Sequence, residues 1–171
     1  MHFRAEPLLL TDNDLNEAEE TIDVGSYNHA FIQANLTFLH KRQGQFTVLT
    51  DLSLSVSGVD RTQFDLQPHE EIKPDICLYP KRGMNPMQDI LKMSEMPLLA
   101  IEIVSPRQGL YEITEKFKLY FALGVKSCWL VIPSTQTVTV YAAPNNFQTF
   151  VAGEVVDDVV GVQLPLAEIF E

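Results

Sequence analysis

The chain has 171 residues, 46% of them hydrophobic, with a mean hydropathy of +0.01, enough for one domain with its own core. The formal net charge of −11 excludes a generic nucleic-acid binder held by overall charge. No apolar run approaches the ~18 residues of a membrane span, and Cys77 and Cys128 form neither a CxxC pair nor a disulfide framework.

The first 25 residues carry Asp12, Asp14, Glu17, Glu19, Glu20 and Asp23 and read as a solvated acidic arm without chemistry. The N-terminus is too acidic downstream and too short in its apolar part for a signal peptide, so a cytoplasmic protein without a membrane partner is expected. Residues 26–171 are expected to form a single domain.

Ser26-Tyr27-Asn28 offers N-cap candidates. Phe31, Ile32, Leu36, Phe38 and Leu39 follow at helical spacing, and Gly44 stops the helix. Phe46 to Val56 predicts one long strand, and the polar stretch Gly58 to Glu71 a loop. Ile72 to Pro80 reads as a second strand, in which Asp75 opens an apolar run. Lys81 to Met96 reads as a loop with a turn of helix around Ile90-Leu91.

The third strand is the stretch around which the chain is organised: Leu98-Leu99-Ala100-Ile101-Glu102-Ile103-Val104, closed by Ser105-Pro106. Its single carboxylate, Glu102, sits among aliphatic residues. A buried ion costs on the order of several kcal/mol, so a strand keeps one only where a cation meets it. Two strands with one acid each, Asp75 and Glu102, suit a metal-dependent hydrolase.

Leu110, Ile113, Phe117 and Tyr120/Phe121 then mark an amphipathic helix ended by Gly124. Glu112, Lys116 and Tyr120 lie along one side of it at i, i+4 and i+8. The helix must pack back on the sheet, which can bring Lys116 over Glu102. Tyr120 and Trp129 read as core. Ser127 to Pro133 is β-prone, and the strand–helix–strand step from Glu102 to Trp129 predicts parallel neighbours. Thr137–Ala142 and Phe147–Val151 bracket Pro144-Asn145-Asn146 and read as a hairpin. The tail adds a short strand and a hydrophobic clip at Leu164, Leu166, Ile169 and Phe170.

The order is helix, three strands, helix, strand, hairpin: an α/β fold with a mixed sheet. Charge is uneven along it. Lys73 to Lys126 holds eight basic and six acidic residues, net +2, while the remainder carries −13.

Pro74-Asp75, Ile101-Glu102-Ile103-Val104-Ser105-Pro106, Glu115-Lys116-Phe117-Lys118-Leu119-Tyr120, Gly124-Val125 and Trp129-Leu130-Val131 together resemble the Uma-like restriction endonuclease family of the PD-(D/E)XK nuclease superfamily. The resemblance spans His29 to the C-terminal clip. It implies a restriction-endonuclease-like αβββαβ core with an added C-terminal β-hairpin, over a nuclease-like domain at 26–171.

It further implies that Asp75, Glu102 and the carbonyl of Ile103 hold Mg²⁺, with Mn²⁺ as substitute. The superfamily's usual lysine position is Val104 here, and Lys116 on the following helix takes its part. Glu112 stands where the family often has an aspartate, and His29 where the first helix often has a histidine. Arg107, Lys73 and His29 are the substrate-binding candidates. The Ser-Pro-Ser-Thr common in the family is Ser-Pro-Arg-Gln at 105–108, and its Val-Asp-Pro is Val131-Ile132-Pro133.

The implied function is Mg²⁺-dependent cleavage of DNA by a homodimer, since cutting both strands of a duplex calls for two sites; the hairpin is the expected dimer interface. One alternative is an inactive nuclease-fold binding or accessory module. Another is an unrelated α/β enzyme using Glu102 and Lys116 as an acid/base pair.

Overall fold

A computed structural model describes residues 26–66 and 71–171; the acidic arm expected at 1–25 lies outside them. Helix α1 (Tyr27–Gln43) begins where Ser26 accepts a hydrogen bond from the His29 N–H (3.3 Å) and ends at Gly44, whose φ of 71° needs no side chain. Its buried stripe is Ile32, Leu36, Leu39 and His40. Phe31 and Phe38, expected in that stripe, point outward.

Six strands form one mixed sheet in the order β1 (Phe46–Thr50), β4 (Ile76–Pro80), β5 (Leu99–Ile103), β6 (Ser127–Ile132), β7 (Thr137–Ala143), β8 (Asn146–Phe150). The β5–β6 pair is parallel and all the others are antiparallel. The parallel step is bridged by α2 (Leu110–Leu123). The expected αβββαβ core is therefore present as α1, β1, β4, β5, α2, β6, and the expected hairpin is β7–β8, turning at Pro144-Asn145.

The long strand expected from Phe46 to Val56 is broken. Asp51 takes φ 52°, and its N–H donates to the carbonyl of Asp75 (3.3 Å), which turns the chain off the sheet. The residues beyond form β2 (Leu54–Ser55), which pairs with β3 (Glu71–Ile72) in a small sheet of its own. Ile72 thus belongs to β3, and the strand entered at Asp75 starts at Ile76. Around Ile90-Leu91 the chain forms no helix and both side chains are exposed. That loop is anchored by Met93 instead, which exchanges backbone hydrogen bonds with Ser53 and Ser55 (2.8 Å each).

Strand alternation sorts the core to two faces of the sheet. On one face Ile76, Leu78, Ile101, Ile103, Trp129 and Val131 meet the stripe of α1 and the tail. The tail is a second hairpin, β9 (Glu154–Asp157) with β10 (Val162–Pro165), followed by α3 (Leu166–Phe170). On the other face Cys77, Tyr79, Ala100, Cys128 and Leu130 meet Ile113, Phe117 and Tyr120 of α2 and Leu54, Val56 and Ile72. Full burial of each such large side chain stabilises by roughly 1.5–3 kcal/mol.

Asp157 fastens the tail. Its carboxylate accepts from the Ser127 hydroxyl (2.6 Å), the Trp129 indole N–H (2.7 Å) and the N–H groups of Val159 (3.0 Å) and Val160 (3.4 Å). Beside it, His40 packs its ring 5.5 Å from that of Trp129, and neither ring nitrogen finds a hydrogen-bond partner among the described residues. Burial pushes the His40 pKa down to about 4.

Candidate active site

β4 and β5 run antiparallel with Ile76 opposite Ile101. Carrying that register one step outward sets Asp75 opposite Glu102, and directly opposed residues of an antiparallel pair lie on one face. Pro74 comes just before Asp75, at the lip of the sheet, where its missing N–H breaks no ladder bond. Asp75 accepts the Ile103 N–H at Oδ2 (2.6 Å) and lies 3.1 Å from His29 Nε2 at Oδ1. Four residues along α1, the Gln33 amide donates to the Asp75 carbonyl (2.9 Å) and to Asp51 Oδ2 (3.2 Å). Two residues on one face of α1 thus fix Asp75 by both its side chain and its backbone.

Glu102 is 2% exposed. The loop 104–109 turns the chain back so that α2 lies over this face, with Ile113, Phe117 and Tyr120 buried. One turn apart on α2, Lys116 Nζ approaches Glu102 Oε2 (3.2 Å) and the Tyr120 hydroxyl donates to Oε1 (2.7 Å). Burial pushes the Glu102 carboxyl up to about 7; the charge of Lys116 opposes this, the charge of Asp75 adds to it, and the Tyr120 hydrogen bond opposes it. Burial by itself would lower the Lys116 pKa, but Glu102, Asp75 and Glu112 outweigh it and hold the ammonium above its ordinary value. Burial, reinforced by Glu102, also raises the Tyr120 hydroxyl well above the ordinary phenol range, which keeps it a donor.

The structure therefore brings together Asp75, Glu102, Ile103, Lys116 and His29. It does not bring in the others equally. Glu112 is exposed and acts on Lys116 only as a nearby negative charge, without a hydrogen bond. Lys73 turns to Glu71 (3.1 Å). Arg107 is exposed in the β5–α2 loop. Three residues at the site were not foreseen: Tyr120, expected only as core, and Gln33 and Asp51. For Tyr120 the signal was its i+4 spacing from Lys116.

The donor set suits a hard divalent cation. Asp75 lies close enough to Glu102 for its charge to raise the Glu102 pKa. Among the described residues no three or more His, Cys, Asp or Glu side chains gather into a cage. Two carboxylates could hold such a cation, with waters and substrate phosphates completing its shell. Ile103 would add its backbone carbonyl.

Among solved structures, the chain is similar to a putative nuclease belonging to DUF820 from Anabaena variabilis, at 20% identity and a TM-score of 0.65, over 85% of this chain and 81% of that one. This likeness shows the fold. Among the described residues no helix is long and apolar enough to cross a membrane. No curated protein matches the chain. The model of the Uma2 family, described as "Putative restriction endonuclease", matches residues 16–167, which is nearly the whole chain, and so the chain belongs to the Uma2 family.

Proposed function

We propose that the chain is a divalent-metal-dependent phosphodiester hydrolase acting on DNA, of the PD-(D/E)XK type, with Mg²⁺ as its ion and Mn²⁺ as substitute. The observation that carries this reading is the placement of Lys116 Nζ 3.2 Å from Glu102, on the strand pair that sets Glu102 opposite Asp75. When bound, the ion would polarise the scissile phosphate and lower the pKa of an attacking water. Asp75 and Glu102, with the carbonyl of Ile103, would hold it. His29 and the Ile103 N–H keep the Asp75 carboxylate in place. Lys116 stabilises the negative charge that gathers on the phosphate in the transition state. Arg107, exposed in the β5–α2 loop, would meet the DNA backbone, while Lys73 would first have to leave Glu71.

Cleavage of both strands of a duplex calls for two such sites, so we read the working form as a twofold homodimer in the cytoplasm. The test is nicking of supercoiled plasmid at low salt with and without Mg²⁺ or Mn²⁺. Nicking that needs the ion and disappears in Glu102→Gln supports the reading; equal nicking without the ion sinks it. A second reading keeps the fold without catalysis. The altered loop at Arg107-Gln108 and the net charge of −11 favour it. Mn²⁺ binding without any nicking would select this second reading.

A further inference from the structure

Every carboxylate oxygen at the site is already engaged. Asp75 Oδ1 faces His29 and Oδ2 takes the Ile103 N–H. Glu102 Oε1 takes the Tyr120 hydroxyl and Oε2 faces the Lys116 ammonium. The two partners of Glu102 differ in freedom. Tyr120 is 0% exposed and lies against Phe117, with ring centroids 6.4 Å apart; it cannot withdraw without opening the core. The Lys116 side chain is 20% exposed and ends in a flexible four-carbon stem, so it has a way out to water.

We propose that Glu102 is an exchange ligand: Tyr120 is a positioning residue that holds Oε1 throughout, while Lys116 occupies Oε2 as a resident cation that a divalent metal must displace. This rests on the metal-dependent reading above. The site is already partly charge-balanced with Lys116 in place, so binding a divalent ion exchanges one cation for another. Two side chains that donate to the same carboxylate then act on metal affinity with opposite signs. Lys116 competes with the ion. Tyr120 orients its ligand, as hydrogen-bond partners behind a metal ligand do.

The test is calorimetric titration of Mn²⁺ alone into the full chain, with no DNA, for wild type, Lys116→Gln, Lys116→Met and Tyr120→Phe. Circular dichroism checks that each variant is folded, and Mn²⁺-induced shifts in melting temperature give a second readout. We expect Lys116→Gln and Lys116→Met to bind Mn²⁺ roughly tenfold tighter or more, because no opposed unit charges a few Å apart need to be separated first. We expect Tyr120→Phe to bind it about 10–100-fold more weakly, the range for losing such a supporting partner. Unchanged or weaker binding in both lysine variants overturns the exchange. Unchanged binding in Tyr120→Phe returns Tyr120 to a purely structural role and overturns the division of the carboxylate. No Mn²⁺ binding in any of the four proteins overturns the metal-dependent reading itself. Measurable binding that both lysine variants share equally with wild type overturns this inference alone.

Discussion

Glu102 and Asp157 are both buried carboxylates, 2% and 1% exposed, and they sit in opposite kinds of surroundings. Asp157 accepts four hydrogen bonds, from a hydroxyl, an indole and two backbone N–H groups, and none of these donors is charged. Each lone pair it brings into the core is answered, and it joins β6 to the C-terminal hairpin. Glu102 accepts two hydrogen bonds, one from a cation, and lies near a second acid. Burial pushes its carboxyl up to about 7. Burial of an acid therefore does not mark a working site. The mark of a candidate site is a shortfall of donors around it, which a ligand can make good.

This contrast can be broken most sharply at Asp75. Asp75→Asn keeps the shape but removes one of the two charges. Plasmid nicking should fall by roughly 10³-fold or more, as expected when the ion's holder is lost, with the melting temperature nearly unchanged. If Asp75→Asn unfolds the protein instead, the two ends of the molecule do not differ as described.

Lys116→Ala should lower nicking by roughly 10²–10³-fold, the loss typical of one electrostatic group acting on the transition state, with folding retained. Lys118 is a poor control, because it pairs with Glu115, which is buried and also accepts the Asp65 N–H. Lys126, exposed after α2, is a better one.

Asp157→Asn should do the reverse of Asp75→Asn. An amide has one acceptor oxygen where four donors converge, so stability should drop by about 2–3 kcal/mol, or roughly 5–10 °C in melting temperature. Nicking per folded molecule should stay the same. A loss of nicking without a loss of stability would show that the hairpin end also serves the chemistry.

The smallest effect at pH 7 comes from replacing His40. Its pKa is about 4 folded and about 6.5 unfolded. Below pH 6.5 the unfolded chain takes up a proton that the folded one refuses. Stability is thus full above that value and declines down to about pH 4, by about 3 kcal/mol in all. His40→Met should flatten this slope and add about 1 kcal/mol at pH 7, since two unpaired ring nitrogens leave the core. Urea melts at pH 7 and pH 5 measure both; an equal slope in the variant would trace it to other groups.

Much of the fold was legible because periodicity carries it. Ser26 and Gly44 bounded α1, the apolar runs marked β4, β5 and β6, and Pro144-Asn145 marked the hairpin. The break after β1 was not legible. Asp51 adopts its φ of 52° where Asp75 and Gln33 meet it from distant parts of the chain, and alternation in Val48, Leu52, Leu54 and Val56 says nothing of that. Strands of two residues, such as β2 and β3, are too short to leave a pattern. At the site, Asp75 and Glu102 were legible because acids interrupt aliphatic runs. Tyr120 was hidden because an aromatic on a buried helix stripe looks like packing, and only its hydroxyl makes it more. Asp157 was hidden among the polar residues of a tail that reads as a hydrophobic clip.

Trp129 is the only tryptophan in the chain. It is fully buried, its indole N–H is spent on Asp157, and the His40 ring lies against it. The tryptophan fluorescence of the protein, excited above the tyrosine band, therefore comes from one address, the junction of sheet, first helix and C-terminal hairpin. Loosening of that junction should appear as a red shift, and a protonated His40 as quenching. Tyr120 and Glu102 belong to the opposite face of the sheet, so changes there should leave the indole band undisturbed, and one unlabelled spectrum should tell apart a protein that has lost its clamp from one changed only around Glu102.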